Sequence, residues 1–158
     1  MSQPVADATR NHVAAKSSSP TKRSTYIYAA VALIALLGLA DATYHTIEHI
    51  TGQSVRCTIV AGCSEVLSSK YATVGGMPLA VVGATAYFTV FALATLAAFG
   101  YRFAGTLLNV IVPAMALVSL WLIYLQAFVI HSFCQYCLFS AAVTFILALL
   151  LLIRWRKT

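Results

Sequence analysis

Four cysteines stand in two close pairs, Cys57 with Cys63 and Cys134 with Cys137. The second pair reads Cys134-Gln135-Tyr136-Cys137, a CxxC at the start of an apolar run. Thiol–disulfide exchange needs a thiolate, an accessible sulfur and a partner sulfur within reach. A helix beginning near Cys134 would bring both sulfurs of the CxxC onto one face. It would also set them at the positive end of the helix dipole, where a thiolate is favoured. In the first pair, Cys57-Thr58-Ile59-Val60-Ala61-Gly62-Cys63 can bring its sulfurs together by turning at Ala61-Gly62. Two dithiols point first to electron relay. The rival readings are a stapling disulfide, which gains little on so short a loop, and a Cys₄ zinc site, for which the first pair is spaced too widely.

The elements that position these sulfurs are membrane-spanning helices. Of 158 residues, 61% are hydrophobic and 9% charged, with mean hydropathy +0.87. A soluble domain of this size needs more polar surface. Ile27 to Ala40 (extendable through Tyr44), Met77 to Phe99, Phe103 to Ile130 and Leu138 to Ile153 form four apolar blocks. Each approaches the roughly 20 residues that a helix needs to cross a bilayer, and none alternates as a barrel strand does. The expected fold is therefore all-α, an integral membrane bundle of four helices over residues 26–153. Residues 1–25 are expected to form a disordered tail and residues 154–158 a short basic one.

Charge sets the expected orientation. The formal net charge of +6 is spread along the chain rather than gathered into a nucleic-acid-binding patch, and eight of the ten basic residues fall on one side of the spans. Only Arg56 and Lys70 fall on the other. That is the positive-inside pattern, which makes both termini cytoplasmic and both cysteine pairs extracytoplasmic, where disulfides persist. A rival reading takes the first apolar run with Ala40-Asp41-Ala42 as a secretory signal, leaving three spans in the same orientation.

Residues 52–76 form the long extracytoplasmic connection. Within it Ser64 to Tyr71 reads as a short helix, capped by Ser64, with Gly75, Gly76 and Pro78 ending the segment. Such a half-helix at the interface would lid the bundle. On the first span, Asp41, His45 and His49 recur at i, i+4 and i+8, and His45-Thr46-Ile47-Glu48-His49 formally matches an inverted zinc-peptidase motif. That chemistry needs a further protein ligand, so the preferred reading is a helix end turning polar at the interface. Asp41 lies one turn deeper, where an ionisable group is functional by default, as a proton relay or a bond to His45. His131 stands just before the CxxC and reads as a structural interfacial residue. Trp121, Tyr124 and Phe128 read as bundle core or aromatic belt.

These residues resemble the vitamin K epoxide reductase family, including its prokaryotic quinone-linked disulfide-forming members. The likeness rests on Cys57, on Cys63-Ser64-Glu65-Val66-Leu67-Ser68-Ser69-Lys70-Tyr71, on Gly83 and on Phe133-Cys134-Gln135-Tyr136-Cys137-Leu138. It implies a four-helix bundle around a quinone pocket, capped by the cysteine loop and its half-helix. It further implies that Cys137 faces the quinone, that Cys134 exchanges disulfides with Cys63, and that Cys57 is attacked by an external redox partner. Ser69, Tyr136 and Phe133 are the implied quinone contacts, and no metal is implied. Two positions depart from animal members: Ser140-Ala141-Ala142 replaces Thr-Tyr-Ala, and Leu79 stands where an asparagine holds vitamin K.

The expectation is then a thiol–quinone oxidoreductase of the prokaryotic plasma membrane that supports disulfide formation. Its substrates would be ubiquinone or menaquinone and a separate extracytoplasmic thioredoxin-fold (DsbA-like) protein. The alternatives are a quinone or vitamin K epoxide reductase whose product is the reduced quinone, and a non-enzymatic membrane subunit with structural disulfides.

Overall fold

A computed structural model describes residues 22–51, 66, 68, 69 and 71–156. Both cysteines of the first pair, together with Ser64 and Glu65 of the expected half-helix, lie outside the described residues. Helix α1 spans Lys22–Thr51, α2 Leu79–Ala98, α3 Arg102–Leu125 and α4 Gln135–Trp155. A two-stranded hairpin precedes α2, with β1 at Thr73–Val74 and β2 at Met77–Pro78. Among the described residues, four helices are long and apolar enough to cross a membrane.

Two boundaries differ from the sequence expectation. Helix α1 begins at Lys22, so the last residues of the expected disordered tail are helical. Helix α4 runs on through Arg154 to Trp155, into the stretch expected to be a tail. Apolar runs mark the hydrocarbon thickness rather than the helix, whose backbone hydrogen bonds continue through flanking polar residues.

The hairpin is a third difference, a short β element within an otherwise helical fold. Gly75 and Gly76 have φ of 59° and 84°, the pair of positive values that a tight primed turn demands and that glycine adopts without a Cβ clash. Thr73 pairs with Pro78 and Val74 with Met77. The Leu79 N–H then donates to the Ala72 carbonyl at 2.8 Å, tying the start of α2 to the cap segment.

The bundle is packed at one end and open at the other. Tyr28, Val31 and Ala35 of α1 meet Val90, Ala94 and Ala97 of α2, Ala104, Leu108 and Val112 of α3, and Val143, Leu147 and Leu151 of α4. These buried positions recur every three or four residues, and Ala35, Ala94, Ala97 and Ala104 among them carry small side chains. Small side chains let helix backbones approach closely, and that packing drives association where lipid is as apolar as the core. The Arg154 guanidinium closes this end, 4.6 Å from the centre of the Tyr28 ring. Trp121, Tyr124 and Phe128 point outward, each more than half exposed, so they form part of the lipid-facing belt rather than the core.

Candidate functional site

The CxxC is built by the way α3 ends. Instead of continuing as an α-helix, Gln126–Ile130 widens into a π-helical turn, and His131 then takes a left-handed conformation with φ of 54°. The Ser132 N–H closes back on the Gln126 carbonyl at 3.1 Å. A π turn re-aims the side chains that follow it, and here it turns Gln126 inward until 2% of it is exposed. The Gln126 Oε1 accepts the Cys134 N–H at 2.9 Å. Cys134, in extended conformation, is the N-cap residue of α4, and its carbonyl accepts the Leu138 N–H at 3.1 Å. Both cysteines thus lie at the first turn of the helix, as the spacing implies. His131 is exposed and its backbone, not its ring, shapes the site.

Cys134 and Cys137 are free thiols. Cys134 is fully buried. Donation by the Cys137 thiol, aided by the backbone amides of Cys137 and Tyr136, outweighs burial and brings the Cys134 thiol down to about 7. The anion of the reduced pair therefore sits on Cys134. Around it pack Val66, Ile130, Tyr136 and Cys137. Val66 comes from the cap segment, where Val66 and Ser68 are helical and Ser69 bonds back to the Val66 carbonyl through its N–H at 3.3 Å and its Oγ at 2.7 Å. The cap thus brings a residue only three positions after Cys63 against Cys134.

Below the cap lies a cavity of about 450 Å³, walled by all four helices and the cap segment. That volume suits a small-molecule site. Cys134, Cys137, Ser69 and Tyr136 all line it. Phe133 does not: its side chain is 40% exposed and outside the lining, because the chain emerging from the left-handed turn is extended and directs it away. Leu79 lines the cavity, so that wall is apolar. Deeper in, the Tyr87 hydroxyl donates to the Ser140 carbonyl at 2.7 Å and lies 2.8 Å from Ser140 Oγ and 2.9 Å from Thr144 Oγ1.

His45 read from sequence as part of a polar helix end, and Asp41 as a deeper, functional ionisable group. Asp41 and His45 line the same cavity, and their side chains are only 13% and 8% exposed. The signal was their i, i+4 spacing, which puts them on one face; sequence could not show that this face turns inward. Gln126 gave no sequence signal. Its role follows from the π turn, which no local residue pattern announces. Replacing it by leucine leaves the Cys134 N–H without an acceptor. Gln126→Leu is expected to cost about 1–3 kcal/mol, read as a lower thermal midpoint, with faster hydrogen exchange at the Cys134 amide.

A profile of the vitamin K epoxide reductase family matches residues 29–152. Among curated proteins, the thiol-disulfide oxidoreductase LTO1 of Arabidopsis thaliana is 36% identical over 119 residues, which cover 68% of this chain and 31% of that protein. The chain therefore spans about a third of the length of this relative.

Proposed function

The chain belongs to the vitamin K epoxide reductase family, and from that premise we propose that it is a membrane thiol–quinone oxidoreductase serving disulfide formation. One observation carries the reading. Cys137 lines an apolar cavity of quinone-accommodating size, while its neighbour Cys134 is covered by Val66 of the cysteine loop. Both sulfurs of the pair border this space, and Cys134 also meets the loop that holds the other pair, which supports Cys137 as the sulfur that serves the quinone and Cys134 as the one that exchanges with Cys63.

The electrons enter from a reduced extracytoplasmic thioredoxin-fold protein, whose thiolate attacks Cys57 of the Cys57–Cys63 disulfide. The partner leaves as its own disulfide, and Cys57 and Cys63 become thiols. Cys63 attacks Cys134 of the Cys134–Cys137 disulfide, and Cys137 departs as a thiolate. Cys57 then attacks Cys63, and Cys134 leaves. A low-pKa thiol is the better leaving group, so the depressed pKa of Cys134 favours this release. The reduced pair gives two electrons to ubiquinone or menaquinone and closes again. Ser69 and Tyr136 lie on the cavity wall, Tyr136 as a polar contact for the quinone and Ser69 holding the cap through the Val66 carbonyl. The enzyme acts in the prokaryotic plasma membrane with its termini in the cytoplasm and its cysteines outside. Lys22, Arg23, Arg102, Arg154 and Arg156 all stand at the bundle end remote from the CxxC, which supports that orientation.

The test is anaerobic mixing of the purified full chain with a reduced thioredoxin-fold donor and quinone, following quinone absorbance. One quinol per partner disulfide formed is the expected stoichiometry. Four cysteines that stay oxidised, with no loss of quinone absorbance, would instead identify a subunit with structural disulfides.

A further inference from the structure

The geometry points to His45, with Asp41 behind it, as the group that binds a quinone carbonyl in this cavity and hands it a proton. This inference rests on the quinone reading above and assigns the polar end of that site to α1. His45 is 8% exposed, and neither of its ring nitrogens has a hydrogen-bond partner among the described residues. A buried polar group left unpaired costs free energy comparable to a lost hydrogen bond, and in a native site that marks a missing partner. The imidazole lines the cavity, so the partner it lacks is whatever fills that space.

Several other polar groups on the wall are already committed. Tyr87, Ser140 and Thr144 bond one another, the Ser69 hydroxyl is spent on the Val66 carbonyl, and the Gln126 oxygen holds the Cys134 amide. His45 keeps donor and acceptor capacity in hand. It also shares the cavity wall with both sulfurs: its ring meets the Tyr136 ring edge-on, with centroids 4.1 Å apart, and Tyr136 adjoins Cys137 in sequence. Asp41 lines the same cavity as Cys134 and Cys137. Its Oδ1 lies 3.9 Å from His45 Nε2, too long for a hydrogen bond in this arrangement but within reach after a small side-chain movement.

Proton bookkeeping shows what such a dyad does. Closing the Cys134–Cys137 bond releases two electrons and two protons, and reducing a quinone to quinol takes up two of each. The electrons pass at the sulfur side of the ring. A proton must reach a carbonyl oxygen inside an apolar cavity, where water is a poor source. His45 donates that proton and is reloaded through Asp41. The second carbonyl is protonated from water at the cavity mouth, and the thiol protons leave to the same water, so the exchange balances.

The test uses the full chain in lipid nanodiscs with dithiothreitol as donor, so that no protein partner is needed. Decylubiquinone and menadione serve as probes. Quinone dissociation constants come from calorimetry of the oxidised enzyme, kcat and KM from quinone absorbance. His45→Leu should weaken binding about 10-fold and lower kcat about 10²-fold. His45→Gln keeps an amide that can bond a carbonyl but has no proton to give. It should bind within about threefold of the native enzyme yet still lose about 10²-fold in kcat. Asp41→Asn should leave binding unchanged and lower kcat about 10-fold. The glutamine variant decides the matter if the leucine variant does not fold. Native binding and kcat in both His45 variants, within twofold, would overturn the assignment to His45 while leaving the quinone reading intact. A native enzyme that neither binds nor reduces either quinone would overturn both.

Discussion

Cys137→Ala is expected to stop quinone-linked turnover, lowering it about 10⁴-fold or to the uncatalysed background. It should also raise the pKa of Cys134. The reason is the asymmetry of the pair. Cys134 is fully buried, and burial alone would push its thiol up; what brings it to about 7 is chiefly the Cys137 thiol donating to it. With alanine at 137 that donor is gone and the desolvation remains. In the native reduced enzyme, thiolate absorbance near 240 nm should show a component that rises as pH increases through about 7. In the variant that component should disappear and return above about 8.5, the range of an unassisted thiol. Once released, Cys134 stays a thiolate above about pH 7 and takes up a proton below it, so the 240 nm component of the native reduced enzyme should fall as the pH is lowered through that value. An unchanged titration in the variant would show that the helix terminus, not Cys137, holds the thiolate.

Gly38→Val is expected to prevent the bundle from forming, or to destabilise it by more than about 3 kcal/mol. A Cβ built at Gly38 meets the Tyr87 ring, with Cδ1 and Cζ each 2.6 Å away. No side chain can approach that closely. The ring has no room to yield, being 1% exposed and held through its hydroxyl by Ser140 and Thr144 of α4. Relief therefore requires α1 to move off α2, which would open the cavity wall that α1 supplies. Gly83 is the internal control. A Cβ there meets only the Ala42 Cβ at an ordinary 3.9 Å, so Gly83→Ala should be tolerated within about 1 kcal/mol, with help from alanine's better helix propensity. The thermal midpoints of the two variants, followed by tryptophan fluorescence, should separate widely. Comparable midpoints would mean that α1 and α2 do not cross as closely as Gly38 and Tyr87 require.

Much of the architecture was legible because it follows from composition. Long uncharged runs must be helical in lipid, since an unpaired backbone amide there has no water to bond. Four such runs give the four helices, and glycines at 75 and 76 announce a turn, although only pairing across it reveals a hairpin. The CxxC announced a helix N-terminus, and α4 indeed begins there. The less legible parts depend on rotation about helix axes. A helix that is apolar all round carries little amphipathic signal to say which face turns inward. For that reason His45 read as an interfacial end, Trp121 and Tyr124 stayed undecided between core and belt, and Phe133 was expected in a cavity whose lining it does not join.

The sequence by itself determined which atoms can react and on how many spans they are carried: the cysteine types, their spacing and the hydropathy blocks are local properties. Only the tertiary structure decided what those sulfurs face. The π turn at Gln126–Ile130 sets the rotation of the CxxC, and the cap brings Val66 onto Cys134. The rotation of α1 turns His45 and Asp41 into the cavity beside them. The last two depend on contacts between segments far apart in the chain, held by a few close packing choices such as Gly38 against Tyr87, and no local pattern encodes such a contact.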